Sequence, residues 1–426
     1  MTAELTYAGA TIGYPGVDVV RDATLSVAAG EVVGLIGPNG AGKSTMLRAV
    51  TGSARVTTGV VELESRSLAD IGPRDRARLV GVVPQQVSAA FSFSAREFVL
   101  MGRHPHLSRL QQPADVDISL AEEVMARTDT ARLAEDGVDT LSGGDLQRLA
   151  LAQALVQQPR VLLLDEATSH LDLNHRLQVL DLVRELADSG MAVLAVFHDL
   201  DLAARYSDRI AVVDSGRLGP VGPPAEVLTG EMLARVFAVR AVVGTDPVTG
   251  SVTVTPVLRE EAVERASRGR VLVLGGSGAA APLLRTLYLA GYDVHAGALN
   301  RGDIDHAVAE ALGLGMIDLP AFAEVDDAAA AHLRAVAGEA DAVVVAEIPV
   351  GRANLAALRA VAENTVARRL VFVGALGPER DYTGGEASEA ARTAVDAGAM
   401  IAHDPDEAFA RLVALTRAAG IGTSDR

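Results

Sequence analysis

The chain contains no cysteine among its 426 residues. That one absence excludes disulfides, thiolate metal sites and cysteine nucleophiles, so packing must hold the fold. Long apolar runs are also missing. The longest, such as residues 161–164 and 191–197, fall far short of the roughly 18 uncharged residues a membrane-crossing helix needs. The chain is therefore expected not to span a membrane by itself. Its first residues, MTAELTYAGA, carry neither a basic n-region nor an apolar h-region, which predicts no secretory leader and a chain that stays inside the cell. Basic charge is in short supply, with 38 Lys and Arg against 55 Asp and Glu and a formal net charge of −17. An acidic surface repels nucleic acid and anionic headgroups, which argues against general binding to either and leaves room only for a local basic site. The acidic surplus fits a salt-adapted source and plain codon bias alike.

Lysine is the scarcest of the charged residues: Lys43 is the only one. It lies in a glycine-rich loop, where a compact ammonium on a slim stem can thread between phosphates and a planar guanidinium cannot. What is present in quantity is apolar, 49% of the residues, enough for each of the two or three units that this length suggests to bury a core.

Along the chain, residues 31–36 (EVVGLI) read as a strand that runs into the glycine loop, and the spacing after Ser44 reads as a helix. A run rich in polar and helix-forming residues, about 87–159, interrupts the α/β pattern and predicts an inserted helical subdomain. The pattern resumes with strands at 161–164, 192–197 and 210–213 and a helix over 173–189, which predicts a parallel, mostly buried sheet. Residues 240–257 alternate about an Asp-Pro-Val-Thr-Gly turn and read as a hairpin closing a first domain, 1–257. The charged stretch 258–270 reads as a helical linker. From Val271 strand and helix alternate again, with strands at 271–276, 292–296, 341–346 and 370–374. The fold class is therefore α/β twice: a P-loop domain with a helical insertion, then a doubly wound, Rossmann-like domain over 271–420.

Gly37-Pro38-Asn39-Gly40-Ala41-Gly42-Lys43-Ser44-Thr45 matches the phosphate-loop template in full, between a strand and a helix. Glycines let backbone N–H groups face a phosphate, Lys43 bridges phosphates and the Ser44 hydroxyl ligates Mg²⁺. Asp165 and Glu166 end the apolar run 161–164, at the edge where open parallel sheets bind ligands. Asp165 is placed to hold Mg²⁺ through its water shell, and Glu166 to polarise the water that attacks a γ-phosphate. Taken alone, the pair reads as an acidic helix start after a strand.

In this company Leu141-Ser142-Gly143-Gly144-Asp145 resembles the LSGGQ signature of the ABC ATPases, and the resemblance covers roughly the first 257 residues. It implies ATP and Mg²⁺ as cofactors and a head-to-tail homodimer in which Ser142, Gly143 and Gly144 close over the nucleotide of the opposite subunit. Asp145 departs from the family glutamine and adds negative charge near phosphate. Gln85 resembles the Q-loop residue that contacts Mg²⁺ and the attacking water, with Gln86 as a competing register. Ser169-His170-Leu171-Asp172 resembles the D-loop, which implies dimer contact. Alone, His198 at the end of an apolar strand reads as structural; in this company it resembles the switch histidine that orients the water, and Tyr14 resembles the aromatic that stacks on adenine, with a core tyrosine as the competing reading.

The text of residues 96–105 and 198–206 and the Asp246-Pro247 hairpin resemble the iron-siderophore, haem and cobalamin importer branch. That implies an ATPase at the cytoplasmic membrane face, with separate permease subunits and an extracytoplasmic substrate-binding protein. The second domain resembles the extension on haloarchaeal cobalamin-importer ATPases. Competing readings are a soluble ABC protein of translation or DNA repair and an exporter subunit. The first calls for two cassettes per chain, long coiled coils or zinc cysteines, and none of these is in the sequence. In the second domain Gly275-Gly276-Ser277-Gly278-Ala279-Ala280 suits an anion or nucleotide, yet equally a turn that packs helix on strand.

Overall fold

The computed structural model describes residues 3–85, 93–108, 111–167, 171–246, 248–256, 268–362 and 367–418. The chain divides into two compact units, one of Met1–Val239 with Val243–Thr255 and one of Arg240–Val242 with Pro256–Arg426.

The strands of the first unit are β1 (Ala3–Tyr14), β2 (Val17–Ala28), β3 (Val32–Ile36), β4 (Arg55–Leu63), β5 (Arg66–Ser67), β6 (Val80–Val83), β7 (Val161–Asp165), β8 (Ala192–Val196), β9 (Arg209–Asp214) and β10 (Arg217–Gly222). They form one sheet in the order β5-β4-β1-β2-β10-β9-β3-β8-β7-β6. Its β9-β3-β8-β7-β6 half is wholly parallel. Every residue of β3 and β8 is buried, as the unbroken apolar runs require when helices cover both faces. The other half departs from the expected parallel sheet, for β1 pairs antiparallel with β2 and β4. Those long strands alternate buried and exposed residues and carry register shifts, so no apolar run announces them.

The insertion holds helices Ala95–Leu100, Asp115–Arg127 and Gly143–Leu155. Arg103, part of the stretch read as an importer resemblance, has a structural task. Its guanidinium donates at 2.7 Å to the buried Asp117 and at 3.0 Å to the Val156 carbonyl, tying the insertion together. The hairpin appears as β11 (Ala241–Thr245) and β12 (Val252–Pro256). Asp246 starts its turn by accepting from the amides of Val248 and Thr249. Pro247, Gln86, Ser169, His170 and most of the expected linker lie outside the described residues. Arg270, its last residue, instead opens a strand.

The second unit has β13 (Arg270–Leu274), β14 (Asp293–Asn300), β15 (Gly315–Leu319), β16 (Ala342–Val345), β17 (Leu370–Val373) and β18 (Met400–Ala402). All pairings are parallel, in the order β15-β14-β13-β16-β17-β18. That is the doubly wound arrangement, whose order reverses between β13 and β16. The two strands beyond the four expected, β15 and β18, are the sheet's edges, short and partly exposed.

Candidate functional site

The phosphate loop leaves β3 at Gly37, where a Cβ would stand 1.9 Å from the Val213 carbonyl oxygen, so glycine is required. Gly42, at φ 112°, caps the helix Lys43–Thr51, and a Cβ there would meet Val20 at 2.5 Å. Asn39 and Gly40 are exposed at the tip, Pro38 is half-buried, and Ala41 and Thr45 are buried. Lys43 is 5% exposed, and its Nζ donates to the carbonyls of Gly37 at 2.7 Å and Pro38 at 3.0 Å. Burial pushes its pKa down, against the charges of Glu166 and Asp165. Ser44 Oγ donates to Asp165 Oδ1 at 2.7 Å, which brings two side-chain oxygens together at the end of β7.

Because β8, β7 and β6 are parallel neighbours, the residues just past their carboxyl ends converge. Glu166 follows β7 with φ 53°, a left-handed conformation that a non-glycine residue holds only when its surroundings enforce it. Gln85 Nε2 donates to Glu166 Oε2, and His198 Nε2 lies 2.5 Å from Glu166 Oε1. Gln85 and His198 are exposed, whereas the Glu166 side chain is only 12% so. The carboxylate is thus held at the rim of the sheet by two polar groups that also face solvent.

Tyr14 ends β1. Its ring packs partly against the core and its hydroxyl accepts from Arg48 Nη1 at 3.1 Å.

The signature residues Ser142, Gly143 and Gly144 stand at the start of the helix Gly143–Leu155, where no described hydrogen bond joins them to residues 37–45. Ser142 caps that helix, its Oγ accepting from the Asp145 amide at 3.2 Å. Asp145 does not leave the negative charge its sequence position suggested, for Oδ1 lies 2.9 Å from Arg132 and 2.7 Å from Arg148. Burial works to raise its pKa, and bonds from Ser142 and Arg148 overcome this and leave it below the ordinary carboxylate value. Asp172 caps the helix Leu173–Asp188 through the His175 amide.

Two residues of this region carry no motif. Gln147, 7% exposed, donates Nε2 to the Pro84 carbonyl at 2.8 Å. Arg176 donates to the Leu171 carbonyl at 3.2 Å and lies 3.7 Å from Asp199, next to His198. Gln147 stands between Leu146 and Arg148, close to Asp145, so nothing in the sequence sets it apart as a buried residue.

The second glycine-rich loop has another character. Asp305, fully buried, accepts through Oδ2 from the amides of Gly276 at 2.7 Å and Ala280 at 3.1 Å. Asp303 accepts from Ser277 at 2.6 Å and Gly278 at 3.3 Å. The amide groups that could cradle a phosphate are taken by the chain's own carboxylates. Asp305 Oδ1 has no hydrogen-bond partner, and burial pushes its pKa up.

A parallel sheet with a lysine-bearing phosphate loop after one strand and an Asp-Glu pair at the end of another defines a P-loop nucleoside triphosphatase. The ABC transporter family profile matches residues 20–169. The cobalamin import ATP-binding protein BtuD of Halobacterium salinarum is 40% identical over 381 residues, covering 89% of this chain and 94% of that relative. The chain belongs to the ATP-binding proteins of ABC transporters, and it is an ATPase. The hemin import ATP-binding protein HmuV of Nocardia farcinica is 46% identical over 243 residues, 57% of this chain and 84% of its own. Among solved structures, an inward-facing metal-chelate type ABC transporter aligns with 25% identity and a TM-score of 0.54, over 61% of this chain and 99% of that one. Residues 294–409 of the second unit match a further family profile, the MJ0874 family.

Proposed function

We propose that this chain hydrolyses ATP to drive uptake of cobalamin or an iron chelate, haem or ferric siderophore, through separate permease subunits at the cytoplasmic face of the membrane. Among the described residues no helix is long and apolar enough to cross a bilayer, which fits a subunit that works against a membrane partner. The observation that carries the chemistry is the meeting of Gln85 and His198 on the Glu166 carboxylate, beside the Ser44–Asp165 pair. Glu166 takes the proton of the attacking water, and His198 and Gln85 hold that water and the carboxylate in register. Lys43 and the amides of residues 37–45 bind the phosphates, and Tyr14 stacks on adenine. Ser142, Gly143 and Gly144 complete the site of a second copy in a head-to-tail dimer, with a helix start that suits an anion.

Ser44, Asp165 and Gln85 are the groups that would hold Mg²⁺. They supply hard oxygen donors, and the described residues contain no cluster of three His, Asp or Glu that could cage a metal alone. This suits an ion shared with substrate phosphates. When bound, it neutralises charge on those phosphates.

Cobalamin is favoured as cargo by coverage: the relative named for cobalamin import spans both units, and the one named for hemin import spans 57% of the chain. An extracytoplasmic binding protein would deliver it. Two measurements test the reading. Glu166→Gln should keep ATP binding, lock an ATP-bound dimer and lower turnover by about 100-fold or more, the scale of a lost general base; turnover equal to the parent removes Glu166 from the role. Tagged protein should also recover a multi-span permease from membranes, and the pair in vesicles should take up cobalamin in preference to ferric siderophore or haem. Recovery without a permease overturns the transport reading.

A further inference from the structure

We infer that Gln147 is a positioning residue, linking the signature helix that serves the partner's nucleotide to the Glu166 site of its own chain. The inference rests on the proposed role of Glu166. The helix Gly143–Leu155 does two things at once. Its first turn, capped by Ser142, presents the signature, and its buried face presents Gln147 to the Pro84 carbonyl at 2.8 Å. Those two points are about 6 Å apart along a stiff rod rising about 1.5 Å per residue, so they move together.

Pro84 is the right place to pull. The β6–β7 ladder ends at the Val83–Leu164 pair, so the carbonyl of Pro84 lies past the last rung and takes its bond from Gln147. The next residue, Gln85, donates to Glu166 Oε2. A shift of the Pro84 carbonyl turns the peptide plane that carries Gln85, and with it the donor resting on Glu166. Docking of the signature on a second copy's phosphate would therefore reach Glu166 through one side-chain amide. Asp145 keeps the helix start fit for that docking, since Arg132 and Arg148 balance its charge.

The test uses the full chain with Gln147→Met, which keeps length and loses the donor, and Gln147→Glu, which keeps shape and turns donor into acceptor. The expected result is a kcat lowered about threefold to tenfold in Gln147→Met, the scale of one neutral hydrogen bond, and lowered further in Gln147→Glu. KM for ATP should stay within about twofold, as should ATP-driven dimerisation when each change is placed in a Glu166→Gln background and followed by size-exclusion chromatography. Parental kcat in both variants overturns the inference, and so does a fall in kcat matched by an equal loss of dimer, which marks general damage. Glu166→Gln alone, assayed alongside, separates the two ideas. If it turns over like the parent, the reading of Glu166 has failed. If it stops while both Gln147 variants run at parental kcat, only the link has failed.

Discussion

The chain builds two glycine-rich turns on one plan, strand, loop and helix, and fills them differently. In residues 37–45 the side chain folded into the loop is the Lys43 ammonium, which occupies carbonyl oxygens. In residues 275–280 the groups folded in are the Asp303 and Asp305 carboxylates, which occupy amide hydrogens. A loop whose carbonyls are neutralised from within is ready for an anion. One whose amides are already bonded to acids is complete without one. Glycine spacing alone does not separate these cases, and the sign of the side chain that answers the loop does.

The largest effect that would break the comparison concerns ATP itself. Lys43→Ala should weaken ATP binding about 10- to 100-fold, the scale of a lost charged hydrogen-bonding group, and titration calorimetry on the parent should find one site per chain. Nucleotide binding that persists in the variant through residues 275–280 would erase the distinction. Next in size, Asp305→Ala leaves buried amides without acceptors and should destabilise the second unit by about 1–3 kcal/mol in urea denaturation. An unchanged midpoint would mean that the carboxylate does not hold the loop. The start of the signature helix is an intermediate case, with an internal carboxylate balanced by two arginines. Asp145→Ala removes one partner of the buried Arg148 and should cost about 1 kcal/mol, less if Asp129, 2.9 Å from Arg148, compensates. The smallest effect is in pH. Burial raises the pKa of Asp305 above its unfolded value, so the folded chain holds that proton more tightly. Its contribution to stability is full below the unfolded pKa and is lost as pH rises through the folded one. Asp305→Asn should flatten that slope in denaturation midpoints taken from pH 4 upward.

Much of the first site could be read in sequence because its parts are contiguous. The loop around Lys43, the Asp165-Glu166 pair and His198 each follow a buried apolar strand, and such strands are recognised by composition alone. The antiparallel strands β1, β2 and β4 left no comparable trace, since half of their residues face outward and bulges break the alternation. Gln147 and Pro84 are 63 residues apart, and only the return of the inserted helix to the sheet brings them together. Asp303 and Asp305 were hidden in plain view. Asp303 caps the helix Ile304–Leu312, an ordinary duty for that residue type, and nothing in the sequence says that both acids also turn back onto the glycine loop 25 to 29 residues earlier.

The solitary lysine has one more consequence. Enzymes that acetylate, methylate or attach ubiquitin to lysine need an accessible side-chain amine, and this chain offers one, 5% exposed and folded over its own loop. Its surface is therefore blind to lysine-directed marks, and an amine-reactive reagent that did reach a side chain would report, by a single modified residue, on whether the loop had opened.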